Sequence, residues 1–428
     1  MKKGANALNT QTASFGEQME LITITEPKFK TVSMMCMMLL PVIPERNSAY
    51  ALAMSILTES CRKYPDYASL TVKLDTMYGA SLNSSVSVNG SVMQLVVSGS
   101  TIASRYALAG ENLAADLAAL LCDCLLDPNV KDGAFEETAY RIERKELLDA
   151  IETEINNKRG YALIRSKETA FCGEPDAYPV YGTKEDVEKL TPESVYAAYK
   201  EILRRAVFRF YCVGPDVPEG LAEQLRDAFR GVERCPEPLQ YYAPSPCKPA
   251  AAFVTEPMDV AQSKLVMVFK GPEQNREAFR LFSAVFGGTP FSLLFTNVRE
   301  KESLCYYCAS RVVNGKDALI VDSGVELANA ERTREAVLEQ LSAMQQGSFS
   351  EELLENAKLA MLGALRGIGD TPTSCIFEQY ERFYTGDPGD VEERVQRYLA
   401  LTKEQIVDVA KSLTLDTVYL MQQGGAAE

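Results

Sequence analysis

Hydrophobic positions in this chain come in two recurring patterns. One is the unbroken apolar run, and the longest runs from Val32 to Ile43, interrupted by Pro41 and too short to span a bilayer. It predicts a buried strand, with Met34, Met35, Met37 and Met38 as filler. The other is the amphipathic helix. Gly133-Ala134-Phe135-Glu136-Glu137 opens one long helix, and Gly347-Ser348-Phe349-Ser350-Glu351-Glu352 opens another. Before each lies a strand-rich stretch followed by a helix. These are Ser81 to Ser98 with Leu108 to Leu126, and Ala318 to Val325 with Arg332 to Met344.

The same succession closes each half. Leu190-Thr191-Pro192-Glu193-Ser194-Val195 leads through Tyr199-Lys200 to the apolar run Phe208 to Val213 and Gly214. Leu401-Thr402-Lys403-Glu404-Gln405-Ile406 leads through Ala410-Lys411 to Val418 to Met421 and Gly424. Both threonines suit an N-cap: Pro192 takes the first helical position, and Thr402 with Gln405 makes a capping box. Between the halves, Cys235 to Pro249 is rich in proline and poor in periodicity, as a linker is. The expected organisation is a domain over residues 1–235, a linker over 236–249 and a second domain over 250–428. Strands grouped beside grouped helices predict α+β layers, each a mainly antiparallel sheet with helices packed on it. A repeat this long implies duplicated domains rather than a solenoid.

Composition narrows the chemistry. Among 428 residues there is no histidine. That excludes Ser-His-Asp and Cys-His nucleophilic sites, His-rich zinc centres and the two-His-one-carboxylate iron triad. A net charge of −15, with no basic block, disfavours nucleic acid and anionic membranes as partners. The eleven cysteines are scattered through apolar runs. Met1 to Gln18 has no apolar core, so reduced thiols in a cytoplasmic protein are expected.

Three local motifs carry little. Cys305 and Cys308 fall on a predicted strand, Leu304 to Val313, where residues three apart point to opposite faces. Cys122 and Cys124 are about 200° apart on a helix. No Walker lysine follows Gly287-Gly288. Glu143, Glu146 and Asp149 recur every third residue, and with Arg144 and Lys145 between them they read as a solvated, ion-paired face.

One segment resembles a known family. Gly287-Gly288-Thr289-Pro290-Phe291-Ser292-Leu293-Leu294-Phe295-Thr296-Asn297-Val298-Arg299-Glu300-Lys301, continuing through Leu304 to Tyr306, is similar to the second-domain signature of the M16 family of insulinase, pitrilysin and mitochondrial processing peptidase. Leu74-Asp75-Thr76-Met77-Tyr78-Gly79-Ala80 resembles the family's first-domain helix end. Tyr181-Gly182 through Leu190-Thr191 resembles the approach to its last helix. The likeness runs from about Phe29 to near the end, and implies two M16-type domains of LuxS/MPP-like fold.

The resemblance also implies a site. Active M16 peptidases hold zinc with H-x-x-E-H on a helix and a glutamate on a later one. Counting from Tyr64-Pro65 and Gly79 sets that slot on Ala53-Met54-Ser55-Ile56-Leu57, so Ala53, Ile56 and Leu57 stand at the ligand and base positions. Glu143 matches the third ligand. No metal, cofactor or catalytic residue is expected here. Arg299 and Tyr306 match the pair with which the family's second domains hold substrate backbone. The plainer alternative is an arginine paired with Glu300 or Glu302 and a half-buried strand tyrosine.

The implied role is a non-catalytic subunit, closing a chamber and holding peptide for a zinc-bearing M16 partner. The histidine-poor M16 homologues of Firmicutes associated with modification of elongation factor P are similar. Two other readings compete: a metallopeptidase with a rebuilt site, and a stand-alone peptide-binding homodimer.

Overall fold

A computed structural model describes residues 8–272 and 275–424. The strands are β1 (Thr10–Gly16), β2 (Met19–Thr25), β3 (Thr31–Pro41), β4 (Ser81–Asn89), β5 (Val92–Ile102), β6 (Val130–Lys131), β7 (Ala134–Phe135), β8 (Val207–Gly214), β9 (Ala252–Met258), β10 (Ser263–Lys270), β11 (Cys305–Val313), β12 (Ala318–Val325) and β13 (Thr414–Gln423). The helices of the first half are α1 (Asn47–Leu57), α2 (Tyr67–Thr76), α3 (Leu113–Leu126), α4 (Glu137–Thr153), α5 (Lys158–Ala170), α6 (Lys184–Glu188), α7 (Pro192–Arg205) and α8 (Leu221–Ala228). Those of the second are α9 (Arg276–Ser283), α10 (Ala330–Gln345), α11 (Glu351–Arg366), α12 (Pro372–Thr385), α13 (Val391–Ala400) and α14 (Lys403–Ser412).

The two main sheets repeat one plan. The first has the order β1-β2-β8-β3-β5-β4 and the second β9-β13-β10-β12-β11, read from the matching end. In each, the pair β2/β8 or β9/β13 is parallel and the remaining shared pairs are antiparallel. The mainly antiparallel α+β architecture is therefore duplicated, with β1 as an addition to the first copy. The edge strand β4 of one sheet corresponds in topology to the edge strand β11 of the other.

Both caps form. Thr191 accepts from the Ser194 N–H with Pro192 at the first helical position, and Thr402 with Gln405 closes a capping box. Each satisfies backbone N–H groups that a helix start leaves free.

The chain divides into two compact units that are interleaved in sequence. The first runs to Glu152 and resumes over Pro179–Tyr241 and Ile368–Pro388; the second holds Thr153–Tyr178, Tyr242–Gly367 and the chain from Gly389. Only the divide at Tyr241/Tyr242 falls within the proline-rich segment. Beyond it the segment is packed: Ser245 is buried, and the Lys248 ammonium reaches Asp416 Oδ2 at 2.7 Å.

Each sheet is covered on both faces, which is why its central strand is apolar without alternation. In β3, Cys36, Met38 and Leu40 pack in one cluster with residues of α1 and α3, while Met37 and Leu39 pack in another with Cys375, Ile376 and Tyr380 of α12. In β10, Val266 and Val268 meet Ala162 and Ala170 of α5 and the following Phe171. The helix on the second face of each sheet thus comes from the other half of the sequence.

Candidate functional site

In the first unit a cavity of about 480 Å³ opens between the end of α1, α2, α4 and the edge strand β4. Burial separates the positions along α1. Ala53, Ile56 and Leu57 lie in the hydrophobic core and do not line the cavity. Ser55, Thr58 and Glu59 do, together with Glu143. The slot counted onto Ala53, Ile56 and Leu57 is therefore displaced by two residues from the positions that face Glu143. A two-residue step is about 200° on a helix, enough to exchange a core face for a cavity face. Ser55, Thr58 and Glu59 keep the same i, i+3, i+4 spacing.

Glu143 also departs from its sequence reading. It is buried, whereas Glu146 and Asp149 on the same helix are exposed. Three residues advance a helix by 300°, so the three carboxylates fan out rather than share a face. The inward stripe of α4 is Tyr140, Glu143 and Leu147. Burial, then the charges of Glu59 and Glu146, push the Glu143 carboxyl up to about 7, while a hydrogen bond from Ser55 works the other way. Glu59 is raised by burial and by Glu146.

These residues do not fit zinc. Two mutually repelling carboxylates and two hydroxyls supply neither imidazole nor thiolate, the usual companions of a carboxylate on that metal. Among the described residues, no group of three or more Cys, Asp and Glu has a metal-holding arrangement.

In the second unit, α9 runs into a π-helical turn, Ala284–Gly288, and a second π-helical segment, Leu294–Lys301, carries Arg299. Gly287 permits this path: a Cβ there would lie 2.7 Å from the Ser310 backbone nitrogen and 2.8 Å from Leu294 Cδ1. Gly287 serves close packing against β11, while a Cβ on Gly288 would lie 3.0 Å from the Ser283 carbonyl oxygen. Arg299 Nε donates to the Tyr306 carbonyl at 2.9 Å, its Nη1 pairs with Glu300 at 2.9 Å, and its guanidinium stacks over Phe295. The Tyr306 side chain is 60% exposed, and its hydroxyl donates to Glu326 Oε1 at 2.6 Å. The Glu300 pairing is the one the plainer reading anticipated, but the tyrosine is exposed rather than half-buried.

The strand also corrects the cysteine reading. The register of β11 against β12 slips between Cys305 and Tyr307, so Tyr306 is an extra residue. Such a bulge breaks the two-residue alternation. Cys305 and Cys308, assigned to opposite faces, are instead hydrogen-bonding neighbours. That bond and the Arg299 charge hold the Cys305 thiol below its usual range against the effect of burial. Cys124 likewise meets Cys61 rather than Cys122. All eleven cysteines are free.

Comparison with known proteins follows these lines. The family described as "Peptidase M16 inactive domain" matches residues 189–361. A protein of Bacillus subtilis (strain 168), "Probable inactive metalloprotease YmfF", is 28% identical over 405 residues, covering 92% of this chain and 93% of its own length. This chain is similar to inactive M16 peptidases.

Other similarities agree with the fold. An "Uncharacterized zinc protease YmxG", also of Bacillus subtilis, is 24% identical over 248 residues, 55% of this chain and 58% of that one. The crystal structure of a peptidase M16 inactive domain from Pseudomonas fluorescens superposes with a TM-score of 0.80 at 16% identity, covering 98% of this chain and all of that one. Among the described residues, no helix is long and apolar enough to cross a membrane.

Proposed function

We propose that this chain is the non-catalytic subunit of a two-chain M16 peptidase, holding substrate backbone for a partner that carries the zinc. The observation that carries this reading is the presentation of Tyr306. Its ring stands exposed on an edge strand with its hydroxyl resting on Glu326, beside an arginine whose guanidinium secures the tyrosine's own backbone. A phenol and a planar guanidinium are donors suited to a peptide carbonyl or a developing oxyanion. Nothing in packing requires a tyrosine to be so exposed.

The first unit supports the same role. Its cavity is bordered by Leu82, Asn83 and Ser84 of β4, the terminal strand of its sheet. An edge strand offers unpaired N–H and C=O groups to an extended peptide. In this reading the cavity receives peptide without cleaving it. Bacillus subtilis has relatives of this chain named as an inactive metalloprotease and as a zinc protease, the two kinds of chain such an assembly needs. The free thiols accord with a cytoplasmic location.

The test is reconstitution. The chain is mixed with an M16 protein that has intact H-x-x-E-H, and the pair is assayed for a stable complex and for peptide cleavage. The reading predicts a complex whose activity exceeds that of the zinc chain alone. A zinc chain equally active with and without this protein would overturn it.

A further inference from the structure

A cationic cluster lies on β11 beyond the Arg299–Tyr306 pair, on the sheet face that α5 covers. Asp322 of β12 is buried, at 1% side-chain exposure, and receives two arginines. Arg159 Nε, from the first turn of α5, lies 2.5 Å from Oδ2, and Arg311 Nη2, from β11, lies 2.8 Å from Oδ1. The Arg159 guanidinium also sits over the Tyr307 ring at 4.2 Å from its centroid.

That ring lies across β12 at Gly324. A Cβ on Gly324 would come within 2.5 Å of both Tyr307 Cε1 and the Gln262 side-chain oxygen. Gln262 in turn accepts from Lys264 Nζ at 2.6 Å. The cross-strand pairing Tyr307–Gly324–Lys264 places Lys264 in the same row.

Two arginines therefore share one carboxylate, and Lys264 lies near enough to Arg159 to feel its charge, in a chain whose net charge is −15. The crowding has a cost: burial, followed by the Arg159 charge, pushes the Lys264 ammonium below its ordinary range. The Tyr307 hydroxyl is buried there without a hydrogen-bond partner. Both arginines nonetheless keep nearly half their side-chain surface exposed, at 44% and 48%. Asp322 fixes their geometry and leaves most of their N–H groups uncommitted, since a guanidinium has five. Uncompensated like charge and an orphaned donor are conditions that an anion relieves.

We propose that Arg159, Arg311 and Lys264 form a binding site for the carboxylate of an acidic residue in an extended peptide laid along the edge of β11. The edge supplies the argument for a peptide. β11 is terminal in its sheet, and a strand added there sets alternate side chains roughly 5 Å from Tyr307, Ala309 and Arg311 on this face. The same strand would pass Tyr306. The proposal deepens the peptide-holding reading and rests on it.

The probe is a pair of dye-labelled, end-blocked peptide pools that differ only in carrying Glu or Gln at one central position. Binding to the intact chain is read by fluorescence anisotropy at low and physiological salt. The Glu pool should bind roughly tenfold more tightly, with the advantage shrinking as salt screens it. Arg311→Gln should abolish the preference without abolishing binding. Because that change leaves Asp322 with one partner fewer, Lys264→Gln is the second variant, and should reduce the preference with no effect on thermal stability. Equal binding of the two pools overturns the anion site while leaving peptide holding intact. Binding of neither pool overturns both.

Discussion

Arg299 secures the backbone of Tyr306, donating from Nε to its carbonyl across a seven-residue separation. The hydrogen bond spans a tight turn in which Ser303 takes a left-handed conformation, φ +53°. It anchors the bulge at which Tyr306 leaves the ladder. The two residues thus form one device: the arginine positions the strand, and the strand presents the phenol.

Replacing Tyr306 with Phe removes the hydroxyl and keeps the ring. The side chain is exposed, so the thermal midpoint should move little. The reconstituted complex should lose about ten- to a thousandfold in activity, the upper end being the range for one transition-state donor. Arg299→Lys keeps charge but loses the planar fork, and should impair turnover without separating the subunits. Normal kcat/KM in both variants would reduce the pair to a structural element.

Glu143 gives a pH signature. Its carboxyl is raised from 4.5 to about 7 in the folded chain, so the native state binds the proton more tightly than the unfolded state. Its contribution favours folding at low pH and is lost as pH rises from about 4.5 through about 7. Glu143→Gln, which cannot ionise, should flatten the dependence of the thermal midpoint on pH across that window. At pH 8 it should stabilise the chain by about 1–2 kcal/mol, because a buried charge beside Glu59 and Glu146 is gone. An unchanged pH profile in the variant would show that Glu143 is solvated.

Gly287→Ala should destabilise the second unit by about 1–3 kcal/mol, the usual cost of overpacking. The added methyl would meet the Ser310 backbone and Leu294. Chemical denaturation would measure the loss. A neutral effect would mean that the turn can move away from β11.

Much of this fold was readable in the sequence. The apolar run over β3, the two capped helices Pro192–Arg205 and Lys403–Ser412, and the strand Ala318–Val325 form where pattern and capping placed them. What pattern could not show is which sheet a helix covers. An amphipathic stripe on α5 or α12 records that one face is buried, not against what, and both pack in a unit built mainly from the other half. The cavity register was missed for a related reason. Ser55, Thr58 and Glu59 stand out only as the less buried positions in an otherwise buried stretch, and counting from distant markers does not fix helical phase. The contact of Cys305 with Cys308 depends on a bulge, which alternation rules do not anticipate. The Gly287-Gly288 motif was legible as a motif, but its reason is a backbone approach between elements.

The central claim is that peptidase chemistry resides in a partner and not in this chain. Metal analysis of the purified chain, alone and after assembly with an H-x-x-E-H-bearing M16 chain, tests it most directly. The account predicts no stoichiometric zinc and no peptide cleavage by the isolated chain, with zinc and chelator-sensitive cleavage appearing only in the assembled complex. One tightly held zinc in the isolated chain, together with chelator-sensitive proteolysis, would contradict it.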